Sequence, residues 1–229
     1  MRKHSLTSLC LAALVGGCLL VGCVRRTAPV SHPAPTASSD TALSAVAMLD
    51  KTIAVAPFTI PNSDSDLLSG YMPDEHTVPE MAPVRLDAEL QDVLSTSTKH
   101  FVDYRLVAKC AKTASRGTES GRLATRRYWQ NVGTCAGADF VLVPLVLHWR
   151  ERDGSAMGST SPASVDISIY LIDVRSGTTL RHFHYEETQK PLSENLLDAK
   201  KFFARHGRFL TAEELAREAL TQCVREFGL

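Results

Sequence analysis

The sequence lacks a net charge, and it lacks the short motifs that mark common catalytic and nucleotide-binding sites. Its 25 lysine and arginine residues balance 25 aspartate and glutamate residues, so no general attraction to nucleic acid is expected. P-loop, GxGxxG, GxSxG and HExxH patterns do not occur. The serines of the segment 153–164 have no placed base or oxyanion donor to activate them. We therefore predict that the protein is not an enzyme, uses no cofactor and binds no nucleic acid.

Cysteine is also scarce. The chain has six cysteines, and only Cys110, Cys135 and Cys223 follow residue 23. No two cysteines have CxxC spacing, which argues against a redox motif or a zinc knuckle. Three cysteines allow at most one disulfide among themselves and leave one thiol over, and the sequence leaves their pairing open. We expect at least one of them to be a buried free thiol that packs like a small apolar residue.

No apolar run reaches the length of a comfortable bilayer crossing. Arg2 and Lys3 precede an apolar stretch at 6–20, which is about fifteen residues long, whereas a spanning helix needs about twenty. A positive start, a short apolar core and small residues at its end are typical of a secretory signal. The sequence therefore predicts a signal peptide over residues 1–22.

The predicted signal ends at a cysteine. Leu20-Val21-Gly22-Cys23 resembles the bacterial lipobox, which implies cleavage before Cys23 and acylation of its sulfur and of the new amino terminus. Each buried methylene contributes about 0.8 kcal/mol, so three acyl chains anchor a protein firmly where one holds it only marginally. Val15-Gly16-Gly17-Cys18 is a weaker match, because cutting there shortens the apolar core. We predict lipidation of Cys23, with a plain signal or an inner-membrane anchor as the alternative.

The residues after Cys23 predict which membrane holds the anchor. Lipoproteins of this class stay in the inner membrane mainly when an aspartate follows the cysteine, and here Val24 and Arg25 follow. We therefore expect a lipid-anchored protein of the cell outer membrane, on its periplasmic side. The inner membrane is the alternative if the source organism sorts lipoproteins by another rule.

A flexible tether is predicted next. Residues 24–40 are rich in Pro, Ala, Ser and Thr, and such a segment buries too little apolar surface to order itself. Seventeen flexible residues span roughly 20–25 Å on average. The lipidated cysteine and the tether thus occupy residues 23–42, and a single periplasmic domain occupies residues 43–229.

The periodicities of this domain predict one α/β sandwich with a mixed sheet, in the order βαβαβββαα. The run at 139–149 is apolar on both faces, so it is expected to be the central strand. Thr211 and Glu214 form a capping-box pattern at the start of the last helix. The other predicted strands are 52–58, 104–108 and the two arms of a hairpin. The other predicted helices lie near 86–97, at 121–134, and from a Ser193 cap to about Arg205.

The register of the hairpin follows from its loop. Arg175-Ser176-Gly177 forms a three-residue loop with Gly177 in the left-handed position, which pairs Val174 with Thr178. This register gives one mostly apolar face, made of Ile167, Ile169, Leu171, Arg181, Phe183 and Tyr185. The opposite, polar face carries Ser168, Tyr170, His182 and His184.

Three loose motifs resemble a known periplasmic superfamily. They are Pro57-Phe58 in the first strand, Gly137-Ala138-Asp139 before the central strand, and Asp173 with Gly177 at the hairpin. Over about residues 50–190 and the last helix, the chain is similar to the superfamily of the curli-secretion lipoprotein, the penicillin-binding-protein activator lipoproteins and the amino-terminal domain of TolB. The resemblance implies a protein that binds partners, forms rings or regulates envelope enzymes, generally without catalysis.

Two segments carry opposite charge. An irregular, proline-rich insertion at 59–84 contains acidic residues and no lysine or arginine, whereas residues 105–127 contain seven basic residues and one acidic residue. An ordinary solvated surface is the simplest interpretation, but the segments could also pair within one chain, pair between subunits, or face different partners. An anionic partner of the basic segment would be a glycan, a lipid A phosphate or an acidic protein. The candidate partner-binding residues are Asp64, Asp66, Asp74, Glu75, Arg116, Arg122, Arg126 and Arg127.

His182 and His184 alternate on the second strand of the hairpin, so their rings point to the same side at a spacing able to hold a metal ion. Apart from Glu186, which continues that side, no third ligand lies nearby in sequence, and zinc needs three or four. Solvated histidines are the simpler interpretation, and we assign no metal ligand.

The sequence thus favours an outer-membrane-anchored periplasmic lipoprotein, acting as a non-enzymatic partner-binding or regulatory factor in cell-envelope assembly. Its expected partners are the outer membrane, through the lipid anchor, and an envelope protein or glycan. One alternative is a ring-forming accessory of polysaccharide or protein export, which requires a homo-oligomer. A second alternative is a periplasmic metal-binding protein that uses His182 and His184.

Overall fold

The computed structural model describes residues 50–115, 120–156, 158–189 and 199–229. The predicted signal peptide, the tether with Cys23, Arg116 and the Ser193 cap lie outside these ranges. The strands are β1 (Thr52–Val55), β2 (His100–Phe101), β3 (Phe140–Arg150), β4 (Asp153–Gly154), β5 (Ser159–Ser161), β6 (Ser164–Asp173) and β7 (Thr179–Thr188). The helices are α1 (Ala82–Leu94), α2 (Tyr104–Thr113), α3 (Arg122–Ala136), α4 (Ala199–Ala204) and α5 (Ala212–Phe227), with a 3₁₀ turn at Asp64–Asp66. Within the described ranges, no helix is both long enough and apolar enough to cross a membrane.

A five-stranded mixed sheet in the order β2-β1-β3-β6-β7 forms the centre of the fold. β1 runs parallel to β2 and β3, whereas β3, β6 and β7 are antiparallel neighbours. β3 is buried from Phe140 to Trp149, because its two faces belong to two different hydrophobic cores. The predicted α/β sandwich, its mixed sheet and its central strand are therefore confirmed.

One face of the sheet, called the closed face below, is covered by α1 and α5. Leu86 of α1 and Leu220 of α5 are fully buried in one apolar cluster with Ile167 of β6. α5 begins at the predicted capping box, in which Thr211 Oγ1 accepts from the N–H of Glu214 at 3.1 Å and the Glu214 carboxylate accepts from the N–H of Thr211 at 2.9 Å. The inner stripe of α5 is buried, and it consists of Ala216, Leu220, Cys223 and Phe227.

The other face, called the mixed face below, has an apolar core under α2 and α3. Val107 of α2 and Trp129 of α3 are buried there against β3. A disulfide between Cys110 and Cys135 joins these two helices, while Cys223 is a buried free thiol. This pairing answers the question that the sequence left open and confirms the expected buried thiol.

The predicted strand at 104–108 is wrong, because these residues begin α2. The Asp103 carboxylate caps the helix by accepting hydrogen bonds from the N–H groups of Arg105 and Leu106 at 2.9 and 3.2 Å. A short apolar run such as YRLVA does not by itself distinguish a strand from a buried helical turn. The second strand is instead β2, at His100–Phe101. The predicted order also lacked α2 and the short strands β4 and β5, which form a separate two-stranded sheet.

The predicted register of the hairpin is confirmed over most of its length. The confirmed pairs are Ile167–Tyr185, Ser168–His184, Ile169–Phe183, Tyr170–His182 and Leu171–Arg181. Nearer the loop the register shifts by one residue, so that Ile172 pairs with Thr179. The predicted pairing of Val174 with Thr178 therefore does not form. Gly177 has a φ of 71°, which is the predicted left-handed conformation.

Candidate functional site

The predicted insertion contains a segment, residues 62–78, that is fixed to the mixed face by hydrogen bonds. The hydroxyl of Tyr170 donates to Ser69 O at 2.8 Å, and the hydroxyl of Thr125 donates to Ser65 O at 2.7 Å. Two leucines of the segment are also buried in the core of this face, Leu67 and Leu68. Side chains of β6 and α3 therefore hold the segment in place, even though it is mostly irregular.

The acidic side chains of segment 62–78 differ in what they contact. Asp64 and Asp66 accept hydrogen bonds from backbone N–H groups of their own segment, at 2.6 and 2.9 Å. Glu75 accepts a hydrogen bond from Arg150 Nη1 at 3.2 Å, and Asp74 is exposed. Of the four carboxylates predicted to bind a partner, two therefore shape the segment itself, and Asp74 and Glu75 lie on its exposed side.

Among the predicted basic partner-binding residues, Arg122 contacts the acidic segment directly. Its guanidinium donates to the main-chain oxygen of Asp64 at 3.4 Å and to that of Gly70. The two oppositely charged segments thus meet within one chain, where Arg122 contacts carbonyl oxygens of the acidic segment. Arg126 is half-buried on α3, and Arg127 is exposed there.

Tyr71, which the sequence interpretation did not single out, is 80% exposed. The Arg122 guanidinium lies 5.5 Å from the centre of its ring, within the range of a cation–π contact. Tyrosine is usually at least partly buried, so this exposure is unusual. The only signal in the sequence is an aromatic residue in a polar, proline-containing segment without apolar periodicity.

Next to its apolar core, the mixed face carries a polar cluster on β3, β6 and β7. His148, Asp166 and Glu186 are directly opposed on the three neighbouring strands. His148 reaches this side because the register of β3 shifts just before it, and such bulges re-aim side chains. His184 Nδ1 lies 3.5 Å from Asp166 Oδ1 and 3.0 Å from Ser168 Oγ. The cluster therefore combines imidazoles and carboxylates on adjacent strands.

Burial determines the ionisation of this cluster. Asp166 is 4% exposed and His148 is 5% exposed. Burial, together with the nearby Glu186 charge, raises the pKa of Asp166 to about 6 against the opposing effect of His184. Burial likewise lowers the pKa of His148. At neutral pH the neutral form of the His148 ring is thus favoured beside a buried carboxylate.

The structure groups His184 with Asp166 and Glu186 rather than with His182. One potential ligand atom from each of Asp166, His184 and Glu186 lies within 4.8 Å of the other two. The His182 ring instead stacks on Tyr170, with ring centres 4.3 Å apart. Sequence reasoning did not reach Asp166, because it lies on the other arm of the hairpin, although the predicted register already places it opposite Glu186.

The residues that carry the sequence resemblance tie the strand ends together. The Asp139 carboxylate, just before β3, accepts from the N–H of Thr52 at 3.0 Å. The Asp173 carboxylate accepts from the N–H of Ser176 at 2.7 Å. These contacts join the ends of β1 and β3 and close the turn of the hairpin, so the motifs stabilise the fold.

No protein-family model matches this chain, and no curated protein matches it; the similarities found are to solved structures. The PelC dodecamer from Paraburkholderia phytofirmans is 13% identical, with a TM-score of 0.38 over 79% of this chain and 88% of that chain. Lipoprotein GNA1162 from Neisseria meningitidis is 13% identical, with a TM-score of 0.38 over 69% of this chain and 98% of that chain. The LpoB C-terminal domain from Escherichia coli is 13% identical, with a TM-score of 0.36 over 62% of this chain and 85% of that chain. LpoB is thus among the similar structures, and the wider superfamily assignment stays a prediction.

Proposed function

We propose that this protein is a lipid-anchored envelope protein without enzymatic activity, which binds an envelope partner through segment 62–78. The observation that carries the proposal is Tyr71, which is 80% exposed on a segment fixed to the domain by hydrogen bonds. The lipobox and the sequence motifs supply the rest of the proposal: an anchor in the outer membrane, on its periplasmic side, and a role in cell-envelope assembly.

An exposed tyrosine on a fixed support is well suited to binding a partner. Tyrosine and arginine are enriched among the residues that dominate interfaces, where truncation costs about 2 kcal/mol or more. Here the Tyr71 ring lies beside the Arg122 guanidinium. Because segment 62–78 is already ordered, little conformational entropy is lost when a partner binds. The exposed carboxylate of Asp74 favours a partner surface that carries positive charge.

The anchor is tested by fractionating cells that make variants of the predicted lipobox cysteine. Cys23→Ser is expected to move the protein from the membrane pellet to the soluble periplasmic fraction, because no acyl chain is then attached. Cys18→Ser, the matched control at the weaker lipobox, is expected to stay in the membrane. If the Cys23→Ser protein stayed in the pellet, the anchor would be elsewhere.

The docking role is tested by copurification from detergent-solubilised envelopes. Tyr71→Ala is expected to weaken partner binding about 30-fold, as the loss of a contact worth about 2 kcal/mol does. Phe203→Ala, which removes an aromatic that is 68% exposed on α4, is the matched control and should retain the partner. Equal retention by both variants would contradict the role of segment 62–78. Complexes that contain only copies of this chain would favour the ring-forming alternative.

A further inference from the structure

Two buried side chains on the mixed face lack the hydrogen bonds that buried polar groups normally make. Asp166 is 4% exposed and His148 is 5% exposed. Within the described part of the chain, Asp166 Oδ1 and both ring nitrogens of His148 have no hydrogen-bond partner, whereas roughly 90% of buried polar groups have one. A buried carboxylate oxygen in this condition is destabilising unless something binds to it.

Asp166 Oδ1, which accepts no hydrogen bond in the described structure, lies beside two other potential ligand atoms. His184 Nδ1 lies 3.5 Å from Asp166 Oδ1, and one ligand atom each from Asp166, His184 and Glu186 lies within 4.8 Å of the other two. Asp166 and Glu186 are directly paired across β6 and β7, and His184 is the next residue on the same side of β7. Strands, rather than a loop, therefore set the positions of all three side chains, which favours a precise site.

The spacing of these atoms is close to what a metal ion requires. Zn²⁺ binds imidazole nitrogens and carboxylate oxygens at about 2.0–2.2 Å, so two ligands of a tetrahedral ion lie about 3.3 Å apart. Asp166 is held by burial, whereas His184 and Glu186 are exposed. The 3.5 Å between His184 Nδ1 and Asp166 Oδ1 is already close to that spacing.

We propose that Asp166, His184 and Glu186 bind a divalent transition-metal cation, for which Zn²⁺ is the fitting probe. One imidazole with two carboxylates is a zinc-type ligand set, whereas Ca²⁺ takes roughly six to eight oxygen ligands. Three protein ligands leave a fourth position of the ion open to water or to a donor from a partner. The His182 ring does not belong to this group of ligand atoms, and its nitrogens lie 3.3 and 3.4 Å from the hydroxyls of Ser69 and Ser168. This site is independent of the proposed docking role of Tyr71.

The test is a calorimetric titration of the detergent-solubilised, lipidated and untagged protein with ZnCl₂, after EDTA treatment and dialysis. Wild type is expected to bind one Zn²⁺ per chain. Loss of a residue that only hydrogen-bonds a metal ligand weakens metal binding about 10–100-fold. Asp166→Asn and Glu186→Gln each remove a direct ligand, so each is expected to weaken Zn²⁺ binding at least about 100-fold. His182→Ala, two residues from His184 on the same strand, is the matched control and should bind with wild-type affinity.

Thermal unfolding separates a lost site from a lost fold. Saturating Zn²⁺ is expected to raise the Tm of wild type and of His182→Ala, because the ion binds only the folded state. Asp166→Asn is expected to unfold cooperatively in EDTA and to show no shift with Zn²⁺. The proposal is overturned if wild type binds no Zn²⁺, if binding survives both ligand substitutions, or if His182→Ala abolishes it. Preferential binding of Ca²⁺ or Mg²⁺ would overturn the assigned class of metal.

Discussion

The two faces of the sheet are built from the same strands, but they differ in what meets their buried side chains. On β6, Val165, Ile167, Ile169 and Leu171 face the closed side, and Asp166, Ser168, Tyr170 and Ile172 face the mixed side. All of these residues are buried. The closed side meets the apolar side chains of α1 and α5, whereas the mixed side meets an apolar core in one part and a polar cluster in another.

Equal burial therefore has different consequences on the two faces. Each apolar side chain of the closed face gains about 25 cal/mol for every Å² that it removes from water. On the mixed face, Asp166 and His148 are buried without the hydrogen bonds expected of them in the described structure. Proteins depart from such rules chiefly at functional sites. We infer that the closed face specifies the fold and that the mixed face carries the function.

Each face also buries a carboxylate, and the comparison is clearest there. Glu187 on β7 contacts Arg205 at 2.7 Å and Lys201. Burial by itself would raise the pKa of Glu187. Hydrogen bonds from these two cations outweigh burial and hold the pKa below its ordinary value. Asp166 has no such hydrogen bond to Oδ1 in the described structure, and burial raises its pKa to about 6. A carboxylate held by two cations supports the fold, whereas one that lacks a hydrogen bond to Oδ1 can bind a ligand through that oxygen.

The largest expected effect comes from opening a cavity on the closed face. Leu220 is fully buried, so Leu220→Ala is expected to lower the free energy of unfolding by about 2–5 kcal/mol. Urea unfolding followed by circular dichroism measures this change. Its exposed neighbour provides the control, since Thr221→Ala should change the same quantity by less than about 0.5 kcal/mol. Equal effects of the two variants would contradict the role given to α5.

The disulfide on the mixed face is expected to have the next largest effect. It joins Cys110 to Cys135 across a sequence separation of 25, so replacing both by alanine should lower the free energy of unfolding by about 3 kcal/mol. Thiol labelling provides an independent check. In denatured, unreduced protein only Cys223 should react, among the cysteines that the structure describes. Reaction of all three would show that the bond does not form.

A smaller effect is expected from acid, and it tests the paired carboxylate. The pKa of Glu187 is lower in the folded state, so the unfolded chain takes up the proton first as the pH falls. Its contribution to stability is complete above the ordinary glutamate pKa of about 4.3 and is lost as the pH falls toward the folded pKa. In melts between pH 7 and pH 3, wild type should therefore lose more stability than Glu187→Gln. Parallel losses would mean that the ion pair does not contribute.

The smallest effect on the free energy of unfolding is expected from a substitution of Asp166. In EDTA, Asp166→Asn should leave the free energy of unfolding the same or slightly higher, with a change of less than about 0.5 kcal/mol. The reason is that the substitution removes a buried charge whose Oδ1 has no hydrogen-bond partner in the described structure. Urea unfolding at neutral pH measures this difference. A loss as large as that of Leu220→Ala would erase the distinction between the two faces.

Local patterns account for the parts of the fold that sequence predicts well. The continuous apolar run of β3, the loop that sets the hairpin register and the Thr211–Glu214 capping box each depend on neighbouring residues. The segment YRLVA predicts a strand but begins helix α2, because it is too short to reveal its period. The exposure of Tyr71 depends on tertiary packing, and the position of His148 depends on a register shift in β3. No local sequence pattern encodes either feature.

Site-specific photo-crosslinking in living cells tests the central claim most directly. A photoreactive residue replaces Tyr71 in one strain and Thr221 in another, which places one probe on segment 62–78 and the other on α5 over the closed face. We expect a discrete adduct with another envelope component from position 71 that depends on Cys23, and none from position 221. Adducts of equal yield from both positions, or from position 221 alone, would contradict it.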